Sequence, residues 1–440
     1  MRYVTHIVRT KGCLSSFGRM FQIFRRFLFG RRRFEKMLDS LENGASLQGT
    51  KITFCVTASL LDRHKGLIER ITRIGHELAG HGYYHSNMKA KNRSEQDEIV
   101  RSCYEKFLAN GFRIRGFRCP YLSYNDDTTD VLRYGPYSWV SNDIIYWQNG
   151  ICTRCSNTTC FKRLSHIYNS ARADESPSLP RVSEGKIDIP ISGPEDEMLV
   201  ERCGLKDPAE ISDIWLAMLD RIYERGELFH LIFHPERFAY VLKSFRDLVK
   251  SARAKDPPVW IASLDEIADW WRERNKTLWH FEKSESGDRT LWIEAPENAT
   301  ILAMGDDCGR DGKGAIYRHY VKIDPIGARD GSLGYSAGSA DRKPAIGISM
   351  DTDGSVEKFL WEEGFFVERS ADREKYSFYI HRLEPFEEKD KLPLLERIDN
   401  SGKKLFRIWR WPRGARSAFA LSSDVDAITI RDFAVRALMY

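Results

Sequence analysis

The sequence predicts an α/β protein in which a parallel sheet, either open or closed as a barrel, is joined to a second, β-rich part. Between about residues 33 and 275, apolar strand-like runs alternate with amphipathic helical stretches, as in repeated strand–helix units. Residues 276–410 change to short alternating segments separated by Gly, Asp and Asn turns, which is typical of antiparallel strands. From residue 411 onwards an apolar strand returns.

The first part of the chain contains several predicted strand–helix units. Ile52–Val56 is a mostly apolar run and is predicted as a buried strand, and Leu61–Ile74 is predicted as a helix because its apolar residues recur every three or four positions. A short strand at Glu77–Gly80 is expected to lead into His81, and Ser94 is placed to cap the next helix. The remaining predicted elements are the helices Glu95–Ala109, Arg237–Ala254 and Leu264–Arg274 and the strands Phe229–Phe233 and Val259–Ala262.

The segment at residues 276–410 is predicted as an antiparallel β-rich domain. Its clearest strands are Thr290–Glu294, Tyr317–Ile323 and Tyr376–Ile380. The apolar strand at Ser417–Leu421 is instead of the α/β kind, because it ends in acidic residues. We therefore expect residues 1–275 and 411–440 to form one domain, with the terminal strand and helix completing it.

Composition narrows the class of protein. The chain has 440 residues, of which 42% are hydrophobic and 30% charged, which excludes disordered and collagen-like proteins. The nine cysteines are an odd, scattered set, which favours reduced thiols. The opening residues lack a secretory signal, and the sequence has no run of about 18 apolar residues, so a cytoplasmic location is predicted.

Basic residues are concentrated at the beginning of the chain, where nine Lys and Arg precede Glu35, the first acidic residue. Phenylalanines lie among them, so this segment could contact an anionic membrane surface. The alternative is a helix that docks its apolar face on the protein and turns its arginines to water. Nucleic-acid binding is disfavoured because the positive charge is confined to this one segment.

His81 and His85 are separated by four positions. On a helical turn this spacing places two imidazoles on one face, where they can bind a single divalent metal ion. Surface or capping histidines would give the same pattern. Two imidazoles also leave the coordination incomplete, so a carboxylate from elsewhere is required.

Asp424 and Asp426 follow the terminal apolar strand and are the best candidates for that carboxylate. Two like charges at the end of a buried strand are costly unless a cation compensates them. A metal ion bound by one carboxylate would leave the other free to accept a proton from water. An Asp-rich turn that caps the following helix is the competing interpretation.

Two further segments carry candidate functional residues. Arg118 lies beside the rigid turn at Pro120 and Tyr121, where it could hold a carboxylate through paired hydrogen bonds. His234 ends an apolar strand, a position compatible with a functional histidine or with a satisfied core histidine.

In combination, these segments resemble the polysaccharide deacetylase family, also called the NodB-homology domain or carbohydrate esterase family four. The resemblance implies a distorted (β/α)7-type barrel and a metal-dependent hydrolase that removes an N-acetyl group from an amino sugar or polysaccharide. The segments that match the family motifs are Asp424-Val-Asp426, His81 to His85, Arg118-Cys-Pro120-Tyr121, Trp139 to Asp143, and Leu231 to His234.

The resemblance also implies a role for each matched residue. Asp426, His81 and His85 would bind a divalent ion, and zinc is the expected metal. Asp424 would be the base, oriented by Arg118; the amide of Tyr121 would stabilise the oxyanion, and His234 would be the acid. The residues expected to tune His234 or to bind substrate are Trp139, Asp143 and Pro120. Trp139, Tyr146 and Trp147 could stack on sugar rings or could pack in the core.

The order of the motifs departs from the family, in which the aspartates come first. Residues 1–32 contain no Asp or Glu, so the sequence predicts a circular permutation in which the terminal strand enters the first domain. A truncated second deacetylase copy, or aspartates supplied by another subunit, are the alternatives. Other functions left open are a catalytically silent glycan-binding protein and an amidase for formamides or cyclic amides.

Overall fold

The structure is a computed structural model that describes residues 27, 29–44, 47, 49–147, 170–305, 315–339 and 341–438. The basic segment up to Arg26 lies outside the described residues, so its proposed membrane contact stays a prediction. Arg31, Arg32 and Arg33 begin a helix whose apolar face, including Phe34, is buried against the protein. This part of the segment therefore follows the docked-helix interpretation.

Strands β1 to β11 lie before residue 275. They are β1 (Ile52–Val56), β2 (Glu77–Gly80), β3 (Gly116–Phe117), β4 (Trp139–Val140), β5 (Ile144–Tyr146), β6 (Ser170–Arg172), β7 (Arg181–Ser183), β8 (Lys186–Asp188), β9 (Ile191–Gly193), β10 (Leu228–Phe233) and β11 (Val259–Ile261). The α-helices of the same part are α1 (Gly30–Asn43), α2 (Leu61–Arg73), α3 (Arg93–Ala109), α4 (Asp126–Tyr134), α5 (Pro208–Arg225), α6 (Phe238–Arg253) and α7 (Leu264–Arg274).

Helix α3 begins two residues earlier than the sequence predicts. Its cap is Asn92 rather than Ser94: the Asn92 side chain accepts a hydrogen bond from the Glu95 amide at 3.0 Å, and the Glu95 carboxylate accepts one from the Asn92 amide at 2.9 Å. This reciprocal pair satisfies two amides that the first helical turn leaves unpaired. Ser263 and Glu266 form the same arrangement at the start of α7.

The remaining elements follow residue 275. They are β12 (Leu278–Lys283), β13 (Arg289–Glu294), β14 (Ile301–Met304), β15 (Ala315–Tyr317), β16 (Tyr320–Lys322), β17 (Gly327–Arg329), β18 (Ser332–Gly338), β19 (Lys343–Ile348), α8 (Gly354–Glu362), β20 (Val367–Arg369), β21 (Tyr376–Ile380), α9 (Lys391–Asp399), β22 (Leu405–Ile408), β23 (Ser417–Val425) and α10 (Ile430–Leu438).

The main sheet has the strand order β10-β23-β1-β2-β3-β4-β8-β7, and β11 also pairs with β23. Its pairings are parallel, apart from the antiparallel pair β7–β8. Strands β6, β5 and β9 form a separate small parallel sheet. Among the described residues, the hydrogen-bonded path of the main sheet is open and ends at β10 and β7, so it differs from the fully closed barrel that the sequence allowed.

Strand β23 lies inside the main sheet between β10 and β1. Leu421 is the partner of Leu231 on β10, and Asp424 is the partner of Cys55 on β1. All residues of β23 are buried. Because β23, β1 and β2 are parallel neighbours, their carboxyl ends lie at the same edge of the sheet.

The β-rich part is only partly antiparallel. The sheets β12-β13-β18-β17 and β15-β16-β14-β22 are antiparallel, but β19 pairs in parallel with β20 and β21. The chain from β19 to β20 passes through helix α8, and a crossover of this kind is what joins parallel strands. The expectation of a purely antiparallel domain is therefore wrong for this small sheet.

A buried ionic network joins the β-rich part to the main sheet. One carboxylate oxygen of Glu363 accepts hydrogen bonds at 3.0 Å from both Arg407 and Arg410. Arg410 also donates to a main-chain carbonyl at the end of α5, and Arg274 at the end of α7 donates to the Trp409 carbonyl. Through these hydrogen bonds, the segment before β23 is attached to helices α5 and α7.

No helix within the described ranges has both the length and the apolar character that crossing a bilayer requires.

Candidate metal centre and active site

His81 and His85 lie in the irregular turn that follows β2, not on a helix as their spacing suggested. Gly82 has a φ of 76° and bends the chain between them, a conformation that glycine adopts without strain. The two imidazole ring centroids are 4.9 Å apart. The turn therefore brings the rings together without helical geometry.

The ring of His81 is oriented by its own loop. Its Nδ1 lies 2.9 Å from the carbonyl of Arg118, to which it donates a hydrogen bond. In a neutral imidazole this leaves the lone pair on Nε2, the nitrogen that faces the site. Burial lowers the pKa of His85 to about 3, so its imidazole is neutral, as a metal ligand must be.

Asp426, just beyond β23, supplies a carboxylate to the two histidines. Its Oδ1 is 3.3 Å from Nε2 of His81 and 3.2 Å from Nε2 of His85. In the described part of the chain, neither Asp426 Oδ1 nor His81 Nε2 makes a hydrogen bond, although both atoms are buried. Two imidazole nitrogens and one carboxylate oxygen within 4.8 Å of one another form a donor set that fits a divalent ion.

Asp424 faces the same site from the end of β23 but has a different partner. Its Oδ1 accepts a hydrogen bond from Arg118 Nη1 at 2.6 Å, and its Oδ2 lies 3.9 Å from His81 Nε2. Both side chains of the Asp424–Arg118 pair are buried. The two aspartates are thus divided between the histidine pair and the arginine.

Other polar groups hold the Arg118 guanidinium in place, and the sequence did not indicate them. It donates to the carbonyl and hydroxyl of Ser141 and to the Ser422 hydroxyl. His230 lies 3.3 Å from Nη2. Burial and the positive charge of Arg118 lower the pKa of His230 well below its usual value, so this ring stays neutral beside the cation. The arginine is therefore preorganised to face Asp424.

Pro120 and Tyr121 form the turn next to Arg118. Tyr121 has a φ of 60°, in the left-handed region, and its ring lies 4.3 Å from that of His85. The ring of Pro120 packs closely on Gly82: a Cβ added to Gly82 would lie 3.2 Å from Pro120 Cγ. These two residues therefore shape the wall of the site beside the histidines.

His234 has a carboxylate partner that the sequence analysis missed. Nδ1 of His234 donates to Asp196 Oδ1 at 2.8 Å, and the His234 amide donates to Asp196 Oδ2 at 2.8 Å. Burial lowers the pKa of His234, but the charge of Asp196 outweighs it and raises the pKa to about 10. The signal in the sequence was the acidic run at residues 195–197, just after β9.

In the part of the chain that the structure describes, Asp143 and Trp139 form their hydrogen bonds with groups other than His234. Trp139 is fully buried in the core, and its indole N–H donates to Asp265 at 2.6 Å. Tyr146 and Trp147 are also buried. Their positions support core packing rather than stacking on an exposed sugar ring. Asp143 instead accepts a hydrogen bond from the Tyr124 hydroxyl in a neighbouring cavity.

Arg436 on helix α10 is a further residue that the sequence did not indicate. Its Nη1 donates to Asp426 Oδ2 at 2.6 Å, and its Nε donates to the Tyr121 hydroxyl at 3.3 Å. Although burial raises the pKa of Asp426, the positive charge of Arg436 holds it well below its usual value. Asp426 is therefore ionised, with one oxygen on Arg436 and the other facing the histidines.

Comparisons with known proteins agree with the resemblance seen in the sequence. The family model described as polysaccharide deacetylase matches residues 32–140, a segment that contains His81, His85 and Arg118 and ends before the aspartates. A curated relative, the peptidoglycan deacetylase of Helicobacter pylori, is 22% identical over 227 residues, which cover 47% of this chain and 74% of the relative.

Two solved structures are also similar. One, described as a polysaccharide deacetylase from Mycobacterium smegmatis, is 21% identical, with a TM-score of 0.41, over 56% of this chain and 78% of that one. The other, from Pseudomonas aeruginosa and described in the same way, is 16% identical, with a TM-score of 0.42, over 56% of this chain and 75% of that one. Residues 32–140 of this chain are thus similar to the polysaccharide deacetylase family.

Proposed function

We propose that this protein is a metal-dependent deacetylase that hydrolyses the N-acetyl amide bond of an amino sugar or polysaccharide. The observation that carries the proposal is the pairing at the end of β23. Asp426 Oδ1 lies 3.2–3.3 Å from two histidine nitrogens, whereas Asp424 Oδ1 is bound to Arg118 at 2.6 Å. One carboxylate is thus available to a cation, and the other to a proton.

Asp426, His81 and His85 would hold the divalent ion, for which zinc is our first candidate because the donors are nitrogen and carboxylate oxygen. When bound there, the ion supplies Lewis-acid polarisation of the amide carbonyl and lowers the pKa of water. Arg436 contributes by holding the second oxygen of Asp426, which fixes the direction of the first.

Asp424 would be the general base. In the proposed reaction its carboxylate accepts a proton from the attacking water, and its 2.6 Å hydrogen bond to Arg118 keeps it oriented before the attack. The hydroxyl of Ser422 and the side chain of Ser141 hold the guanidinium, so the base does not have to be positioned during each turnover.

Tyr121 would act on the carbonyl oxygen of the amide, and His234 would act on its nitrogen. The amide N–H of Tyr121 is proposed to donate to the oxygen that becomes negative. His234 would protonate the departing amine, which cannot leave as a free anion near neutral pH. The carboxylate of Asp196 supports this role because it keeps the imidazole protonated.

The proposal extends to the organisation of the chain. The position of β23 between β10 and β1 supports a circular permutation, in which residues 411–440 complete the domain formed by residues 1–275. Residues 276–410 are proposed as an accessory domain. The complete set of base, acid and metal ligands favours an enzyme over a silent glycan-binding protein. A cytoplasmic address would favour a lipid-linked or nucleotide-linked amino sugar as the substrate.

Metal content and acetate release test the proposal together. The purified chain, loaded with zinc and dialysed, is expected to retain about one ion per chain and to release acetate from N-acetylglucosamine oligomers. Asp426→Asn should lose both properties. Asp424→Asn should lose acetate release and keep the metal, because Asp424 is not among the proposed ligands.

Asp330→Asn is the matched control, because Asp330 is exposed and distant in sequence from the site. It should behave as the unmodified chain. Retention of the ion by Asp426→Asn would overturn the metal assignment. A chain that binds the ion but releases no acetate from any N-acetylated sugar would overturn the deacetylase assignment.

A further inference from the structure

A polar cavity of about 270 Å³ lies beside the proposed active site. Asp188 ends strand β8 and is the register partner of Val140 on β4, and Asp143 lies three residues beyond that strand. Arg118 contacts Ser141 in the same stretch. The cavity is therefore at the carboxyl edge of the main sheet, near the base and its arginine.

The accessory part of the chain forms another wall of this cavity, through Glu388. Ligand sites usually enclose about 300–1,000 Å³, so this volume suits a single sugar ring better than an oligosaccharide. Tyr124, Arg181 and Pro190 also line it, in addition to the two aspartates. A cavity with hydroxyl, guanidinium and carboxyl groups on its walls can bind a polar ring through hydrogen bonds.

The charges in the cavity are not balanced. Arg181 is paired with Glu388 at 2.6 Å and also donates to Ser176, so its positive charge already has a partner. Asp143 accepts a hydrogen bond from the neutral Tyr124 hydroxyl. Oδ1 of Asp188 is buried, and no group in the described ranges donates a hydrogen bond to it. The charge of Arg181 acts to lower the pKa of both Asp143 and Asp188, but its hydrogen bonds go to Glu388 and Ser176. Among the described residues, neither carboxyl group is therefore hydrogen-bonded to a cation.

The pKa of each of these two carboxyl groups is raised. Burial raises the pKa of Asp188 to about 8, and the neighbouring Asp143 adds to the increase. Burial also raises the pKa of Asp143. A ligand with one positive charge and several hydrogen-bond donors would lower the free-energy cost of ionising these two buried carboxyl groups.

We propose that this cavity binds a hexosamine with a free amino group, whose ammonium contacts Asp188 and Asp143. An ammonium carries three donors and no acceptor, which matches an unpartnered carboxyl oxygen better than a neutral acetamide or hydroxyl does. The choice of a hexosamine over other amines rests on the proposed function, because deacetylation produces such a sugar. The cavity would then hold a sugar unit that is already deacetylated, next to the site that processes another.

Binding measurements on a chain that cannot turn over its ligand test this inference. Asp424→Asn protein is titrated with glucosamine, N-acetylglucosamine and glucose at pH 7, and binding is followed by calorimetry and by ligand-observed NMR. Glucosamine is expected to bind about tenfold or more tightly than the other two sugars, the advantage of a charged hydrogen bond over its absence. Equal binding of the three sugars, or no binding, overturns the proposal.

Substitutions then locate the binding. Adding Asp188→Asn or Asp143→Asn to the Asp424→Asn chain should each abolish the preference for glucosamine, whereas adding Asp330→Asn should not. Two variants are used so that a folding defect in one of them does not decide the result, and thermal unfolding checks both. A preference that survives both substitutions overturns the proposal. Acetate release by the unmodified chain is measured separately, so failure of the deacetylase assignment is distinguishable from failure of this one.

Discussion

Replacing Asp196 with Asn should neutralise His234 and weaken the fold in a pH-dependent way. In the structure the pKa of His234 is raised from 6.5 to about 10 because the buried imidazole donates to the Asp196 carboxylate at 2.8 Å. Asn keeps the shape of the side chain and removes its charge. Burial and the nearby Arg237 both lower the pKa of His234, so without Asp196 the ring should be neutral at pH 7.

The magnitude follows from the two pKa values of His234. The pKa of His234 is about 10 in the folded state and 6.5 in the unfolded state, and one pKa unit corresponds to 1.36 kcal/mol. Protonation of His234 therefore contributes about 4 kcal/mol to the stability of the folded chain at pH 7. Because the folded pKa is the higher one, this contribution is fully present below about pH 6.5 and disappears as the pH rises through about 10. Breaking a buried ion pair commonly costs about 3–5 kcal/mol, which is the same range.

Three measurements check the effect of Asp196→Asn. Urea unfolding at pH 6, 8 and 10 should show the stability difference between the unmodified chain and the variant shrinking as the pH rises. NMR titration of the His234 ring should give a midpoint near 10 in the unmodified chain and below 6.5 in the variant. Acetate release should fall by about 10²–10⁴, the usual contribution of a general acid.

Asp213→Asn is the control for Asp196→Asn, because Asp213 is exposed on helix α5. It should leave the His234 titration unchanged. The reasoning is refuted if the imidazole of His234 titrates at the same pH with and without the Asp196 carboxylate. It is also refuted if the stability difference between the two chains is the same at pH 6 and pH 10.

Three other substitutions test buried contacts of the fold. Glu363→Gln should lower the free energy of unfolding by about 3–5 kcal/mol in urea, because it leaves a buried arginine pair without its carboxylate. Gly116→Ala should cost about 1–3 kcal/mol or more in thermal unfolding, since the new Cβ would lie 2.0 Å from the Trp139 ring. Burial raises the pKa of Asp432, but its hydrogen bonds to His64, Arg63 and Thr429 together outweigh this and lower the pKa. Asp432→Asn should therefore remove stability that the unmodified chain has above about pH 4 and loses in acid. An unchanged urea midpoint, an unchanged melting temperature or an unchanged acid profile, respectively, would contradict each expectation.

Residues at strand ends were the part of the site that the sequence could indicate. His81 follows β2, and Asp424 and Asp426 lie at the end of β23, so a parallel arrangement of these strands is sufficient to bring them together. The terminal strand could be assigned to the main sheet because an apolar run ending in two acids is typical of a buried parallel strand. The order of neighbours in the sheet, however, needed the structure.

Residues supplied by loops and helices could not be found from local patterns. Asp196 lies 38 positions from His234, directly before the short helical segment Glu197–Arg202, whose position depends on the packing of β9 beside β10. Arg436 reaches Asp426 from a helix, where an arginine most often points to solvent. Trp139 was expected near the substrate because of its place in a motif, but its ring is directed into the core beside Gly116. A motif fixes the spacing of residues and not the side of the sheet on which each side chain lies.

The place of β23 in the sheet has a consequence for biosynthesis. Strands β1 and β10 have left the ribosome long before their shared neighbour exists, because about 180 residues separate Phe233 from Ser417. At a synthesis rate of about 5–20 residues per second, their exposed edges would wait roughly 10–40 s for that neighbour. Open apolar edges of this kind invite aggregation, so the nascent chain is expected to depend on chaperones during this interval.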